Sequence, residues 1–141
     1  MINAVKQGSP EALARLYDQY SAILFGFITR IIDNPQIAEG VLQNSFIVIW
    51  RSMATFDPEK DRILSWMLKI TLSVAINALP DTPEEITAEA TDIKTLNNVI
   101  TLVFFKGLTL GDVARELEIP LNLLIPKMKM AFTQLNGGQQ Q

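Results

Sequence analysis

Apolar positions recur at three- and four-residue spacing along most of the chain, and no stretch sustains the period-two alternation of a half-buried strand. The first stripe is Leu13, Leu16, Tyr17, Tyr20, Leu24, Phe27, Ile28 and Ile31. It predicts a helix capped by Ser9, with Pro10 at the first position, where a missing N–H costs nothing. Asp33-Asn34-Pro35 breaks that helix. A second is predicted over about 36–53, with Ile37, Val41, Phe46, Ile49 and Trp50 inward, and Phe56-Asp57-Pro58 ends it. A third runs over about 63–79, where Pro80 stops it.

Residues 80–92 read as a linker, within which Pro83-Glu84-Glu85 is a candidate helical turn. Helical spacing resumes over 93–106. Residues 104–120 then carry a helix-turn-helix signature: a helix end at Lys106-Gly107, a Thr109 cap with Asp112 three residues on, a short helix, and a turn ending in Pro120. The next helix should face outward, yet it begins Leu121-Asn122-Leu123-Leu124-Ile125-Pro126. Pro126 removes one backbone bond and crowds the Asn122 carbonyl, at a cost of roughly 3 kcal/mol, so a break is expected there. A last amphipathic stretch reaches Leu135, and the glycine- and glutamine-rich end reads as a frayed tail. The expected fold is all-α: two small helical domains (residues 1–79 and 97–136), a short acidic linker (80–96) and a disordered tail (137–141). The shortness of the linker suggests that the two domains pack on each other.

Composition narrows the chemistry. The 141 residues include neither cysteine nor histidine, which excludes disulfides, thiolate zinc sites and Cys- or Ser/His-type catalysis. No nucleophile–base pair, phosphate loop or metal set can be assembled, so no cofactor and no enzyme activity is expected. Asp57-x-Glu59-x-Asp61 begins like a calcium loop, but Arg62 and Leu68 stand where that loop needs Gly and Glu. No leader pattern and no run of 18 apolar residues occurs, so a cytoplasmic protein without membrane insertion is expected. The net charge of −3 is uneven: residues 1–79 balance to zero, 80–96 carry −4 and 97–141 carry +1. A basic face for DNA phosphates is therefore nearly absent.

The order of these segments resembles the extracytoplasmic-function (ECF) sigma factors of bacterial RNA polymerase over nearly the whole chain. Gly8-Ser9-Pro10-Glu11-Ala12-Leu13 and Leu16-Tyr17 are similar to the family's opening helix. Asn34-Pro35, Ala38-Glu39, Val41-Leu42-Gln43, Phe46 and Ile49-Trp50-Arg51 resemble the helix that binds the polymerase clamp. Phe56-Asp57-Pro58-Glu59-Lys60, Ser65-Trp66-Met67-Leu68, Ile70 and Ala75-Ile76 resemble the segment that melts and reads the minus-ten element. Phe104-Phe105-Lys106-Gly107-Leu108-Thr109, Val113-Ala114 and Leu117-Glu118-Ile119-Pro120 resemble the minus-thirty-five domain.

That resemblance implies a transcription initiation factor with one polymerase-facing and two DNA-facing surfaces. Its partners would be core RNA polymerase (the clamp region of the largest subunit), promoter DNA and an anti-sigma factor. The implied polymerase contacts are Glu39, Gln43, Asn44, Ile47 and Arg51. The implied minus-ten contacts are Trp66, Lys69 and Ser73. The implied minus-thirty-five contacts are Thr109, Asn122, Lys127 and Lys129.

The departures from the family pattern gather on these surfaces, so the chain reads as a divergent member with degenerate DNA-reading faces. Residues 40, 43, 44, 47 and 51 share an outer helix face, on which Gly40 and Asn44 replace the family's usual acids. A glycine there weakens the helix by about 1 kcal/mol against alanine. Thr71-Leu72-Ser73 stands where the family typically has Ala-Arg-Asn, leaving little charge for a single strand. Asn122-Leu123-Leu124-Ile125-Pro126-Lys127 replaces Gly-Thr-Val-Lys-Ser-Arg. There, Lys127 and Lys129 could supply about two phosphate contacts, and only Asn122 could read a base edge.

Amphipathic spacing alone assigns Trp50 and Trp66 to core packing and Lys127 and Lys129 to a solvated face. The apolar run 121–125 is either the core of a rearranged helix or an exposed protein-binding surface. Three functions remain open at this stage: an ECF-type sigma factor, a sigma-like decoy that holds an anti-sigma factor without binding promoter DNA, and a helical scaffold or oligomeric module.

Overall fold

A computed structural model describes residues 10–80 and 89–139. The described residues form six α-helices: α1 (Pro10–Thr29), α2 (Pro35–Ser52), α3 (Ile63–Ala78), α4 (Ile93–Phe104), α5 (Leu110–Glu116) and α6 (Leu121–Gln139). A single 3-10 turn, Met53–Thr55, follows α2, and no strand occurs among the described residues. The expected Ser9 cap and the turn at Pro83-Glu84-Glu85 lie outside the described residues.

The helix starts follow from capping. Asn34 Oδ1 accepts the N–H groups of Gln36 (2.9 Å) and Ile37 (3.3 Å), and Pro35 occupies the first position of α2. Asp92 accepts the Thr95 N–H at 2.8 Å to open α4. Thr109 and Asp112 form the reciprocal capping box of α5. Gly107, at φ 71°, ends the α4 turn, and the Leu108 N–H reaches back 3.1 Å to the Leu102 carbonyl. At the helix-turn-helix corner Glu118 takes a left-handed φ of 58°, which lets the Ile119 N–H bond the Ala114 carbonyl at 3.0 Å.

α1, α2 and α3 pack together around Leu16, Leu24, Phe27, Ile28, Ile49, Met67, Leu72 and Ile76, all fully buried. α4, α5 and α6 enclose Val99, Val103, Val113, Leu124 and Met128. The two groups touch: α3 packs on both α4 and α6, and their buried side chains form one continuous cluster.

Two sequence expectations fail in α6. The helix does not break at Pro126; it runs through that residue, which is itself buried. Leu123 and Leu124 N–H groups close the first turn onto the Pro120 carbonyl at 2.9 and 2.8 Å. Leu124, Met128, Ala131 and Phe132 are buried along the helix. Each large apolar side chain contributes about 1.5–3 kcal/mol, so their sum exceeds the roughly 3 kcal/mol proline penalty. The helix also continues to Gln139, past residue 137, where the tail was expected to begin. Residues 140 and 141 lie outside the described part.

Candidate polymerase and nucleic-acid surfaces

α2 carries Glu39, Gln43, Asn44, Ile47 and Arg51 on exposed positions, while Ala38, Val41, Leu42, Ser45, Phe46 and Ile49 bury the opposite side. The 100° advance per residue produces this separation once Asn34-Pro35 fixes where the helix begins. The helix continues straight through Gly40, and open space surrounds the position its side chain would occupy. Trp50 is a correction. Expected in the core, it is 44% exposed beside Ile47, itself 45% exposed.

The exposed face lies between two grooves. Ile47 and Trp50 form one wall of an apolar groove of about 530 Å³, whose other wall is Leu13, Ala14 and Tyr17 of α1. Glu39 and Gln43 border a second groove of about 320 Å³ with Tyr17, Ser21 and Phe25. Tyr17 separates the two and packs on Phe46, ring centroids 4.7 Å apart. Sequence reasoning missed Tyr17 and Trp50 as surface residues. The apolar stripes of α1 and α2 are wider than two packed helices can cover, and that excess was the available signal.

The three residues that the resemblance implies for minus-ten contact come together. Trp66, Lys69 and Ser73 line one cleft of about 420 Å³ on α3, with Ser52 and Thr55 across it. Trp66 is half-buried and tilts against Phe56 at 5.0 Å, so its core assignment holds only in part. Lys69 is ion-paired: its Nζ lies 3.0 Å from Asp61 Oδ2. One of the few cations on this face is therefore already compensated. Phe132, from α6, also lines this cleft.

The residues that the resemblance implies for minus-thirty-five contact scatter. The Thr109 hydroxyl accepts the Asp112 N–H at 3.2 Å as the cap of α5. Asp112 Oδ2 accepts the Thr109 N–H, and hydrogen bonding to the carboxylate by the Thr109 side chain, and secondly by this N–H, holds the Asp112 carboxyl below the ordinary carboxylate value. Asn122 is exposed and Lys127 half-buried. Lys129 reverses its expected solvated placement: it is 5% exposed and donates to the Leu79 carbonyl at 2.7 Å. The apolar run divides, with Leu124 in the core, Leu123 and Ile125 half-buried and Leu121 exposed.

Among the described residues, no group of His, Cys, Asp or Glu could hold a metal ion, and no helix is long and apolar enough to cross a membrane.

Residues 16–82, which span α1 to α3, match the family model for sigma-70 region 2. The chain is similar to the ECF RNA polymerase sigma factor SigK of Mycolicibacterium vanbaalenii, 34% identical over 77 residues, covering 55% of this chain and 39% of that protein. The aligned part thus spans about two fifths of that relative's length. It is also similar to SigK of Mycobacterium ulcerans, 20% identical over 171 positions that cover 97% of this chain and 90% of the relative. A third relative is RNA polymerase sigma factor CarQ of Myxococcus xanthus, 28% identical over 74 residues, covering 52% of this chain and 42% of CarQ.

Proposed function

We propose that the chain, whose residues 16–82 match sigma-70 region 2 and which is similar to ECF sigma factors, is an ECF-type sigma factor that acts in bacterial transcription initiation by binding core RNA polymerase through the outer face of α2. The observation that carries this reading is the exposure of Glu39, Gln43, Asn44, Ile47 and Arg51 on one unbroken helix. Ile47 and Trp50 supply an apolar centre, and Glu39 and Arg51 supply flanking charge, the arrangement of a protein-binding patch. Promoter DNA is the second partner, met at the Trp66–Lys69–Ser73 cleft. There the indole offers a stacking surface, while the Asp61 pairing of Lys69 weakens the attraction for phosphates.

The decisive experiment titrates the labelled chain against core RNA polymerase, with an intact ECF sigma factor as control. Affinity within tenfold of the control, about 1.4 kcal/mol, supports the reading. Ile47→Asp is expected to weaken binding at least tenfold. Absence of binding at micromolar concentration overturns it.

A second reading has its own support. The helix that would read the minus-thirty-five element keeps only Leu121 and Asn122 exposed in its first nine residues. A chain that presents a sigma-like, polymerase-binding face but withholds its DNA-reading helix suits a decoy for an anti-sigma factor. Anti-sigma binding without promoter DNA binding would select that role.

A further inference from the structure

Lys129 lies in the middle of α6, flanked along the helix by the buried residues Met128, Ala131 and Phe132. Its ammonium crosses from the C-terminal helices to the end of α3, where Leu79 is the terminal cap residue. A helix end leaves carbonyls without intrahelical partners and carries a partial negative charge. A buried ammonium therefore both satisfies such a carbonyl and opposes that charge. Further hydrogen bonds tie segments distant in sequence. Arg30 Nη1 donates to the Val103 carbonyl at 3.0 Å, and the Arg30 carbonyl accepts the Leu110 N–H at 3.1 Å. The Thr91 N–H donates to the Lys127 carbonyl at 3.2 Å. The consequence of seating α6 here is local: Phe132 becomes part of the wall of the cleft that holds Trp66, Lys69 and Ser73.

We infer that Lys129 is a latch: its bond to the Leu79 carbonyl holds α6 against α3, keeping Phe132 in the cleft and the face of α6 that carries Lys129 away from any phosphate. The ammonium reaches solvent only when α6 leaves α3, so closure and DNA contact compete for one side chain. Among basic residues, a lysine suits both states, because a compact charge on a flexible stem can be buried against one carbonyl or extended to a phosphate. The competition with a phosphate rests on the proposed function, whereas the closed latch is tested without polymerase or DNA, so failure of one is distinguishable from failure of the other.

The test uses two readouts. In the native chain, amine acylation followed by mass spectrometry is expected to modify Lys129 at least tenfold more slowly than the exposed Lys106; equal rates would overturn the latch. The chain has no cysteine, so spin labels placed by Asn77→Cys and Thr133→Cys report the α3–α6 distance without interference. A single narrow distribution is expected. Lys129→Met, which keeps the apolar stem and removes the donor, is expected to raise the population of longer distances at least fivefold with helix content unchanged. An unaltered distribution in a helical Lys129→Met variant overturns the proposal. If that variant loses helix content, the acylation rate in the native chain decides.

Discussion

Phe132→Ala tests whether the helices on either side of residues 80–92 unfold as one unit. Phe132 is 7% exposed and borders two clefts, one of about 420 Å³ with Ser73 and Val74 and one of about 190 Å³ with Leu72, Leu96 and Ile100. Truncating a buried phenylalanine costs about 3–5 kcal/mol. Both clefts let neighbouring side chains and water enter the vacated space, so the lower end, about 3 kcal/mol, applies here. With a urea slope of about 2 kcal/mol/M for a chain of this size, the midpoint should fall by about 1.5 M. Both tryptophans, Trp50 and Trp66, lie in α2 and α3, whereas the substitution lies in α6. Tryptophan fluorescence therefore reports one group of helices while the perturbation enters through the other. A single cooperative unit shifts fluorescence and circular dichroism together. A fluorescence midpoint that stays within about 0.3 M of the native chain, beside an earlier dichroism transition, would refute the coupling.

Other consequences follow from single sites. The Ser45 hydroxyl is buried with no hydrogen-bond partner, so Ser45→Ala should stabilise the chain by about 1 kcal/mol, and a lowered melting temperature would contradict this. Gly107→Ala places a Cβ no closer than 3.9 Å to the Arg30 guanidinium, yet forces a φ of 71°; it should cost about 1–2 kcal/mol by chemical denaturation. Asp92 and Asp112 are held below the ordinary carboxylate value of 3.8 by hydrogen bonds from Thr95 and Thr109. Their contribution is complete above the unfolded-state value and is lost as pH falls through the lower folded-state values. Melting temperatures should therefore decline below about pH 4, and Asp92→Asn with Asp112→Asn should make that decline shallower.

Much of the local architecture was legible because its causes are local. Asn34-Pro35, Asp92 and the Thr109–Asp112 pair start helices through bonds that reach only two or three residues, and Gly107 ends one through its own φ. The outer face of α2 was legible for the same reason: a start at Pro35 and a regular helical advance fix which residues share a side. Trp50 was misplaced because its exposure depends on how wide a groove α1 leaves beside α2, a distance that no periodicity carries. Trp66, Lys69 and Ser73 were legible only as single positions; that they line one cleft, and that Asp61, eight residues from Lys69 and outside α3, pairs with it, was not.

The sequence by itself determined the helical class, the helix starts and the family of residues 16–82, since capping, periodicity and motif order are properties of neighbouring residues. Only the tertiary structure decided what α6 is. Pro126 and Lys129 each looked incompatible with an interior helix when weighed alone. Packing against the other helices changes both signs: apolar burial outweighs one missing backbone bond, and a carbonyl at the end of α3 gives a buried ammonium its partner. Both terms depend on contacts between separate helices, such as Lys129 with Leu79 fifty positions away, which the spacing of apolar residues along the chain does not encode.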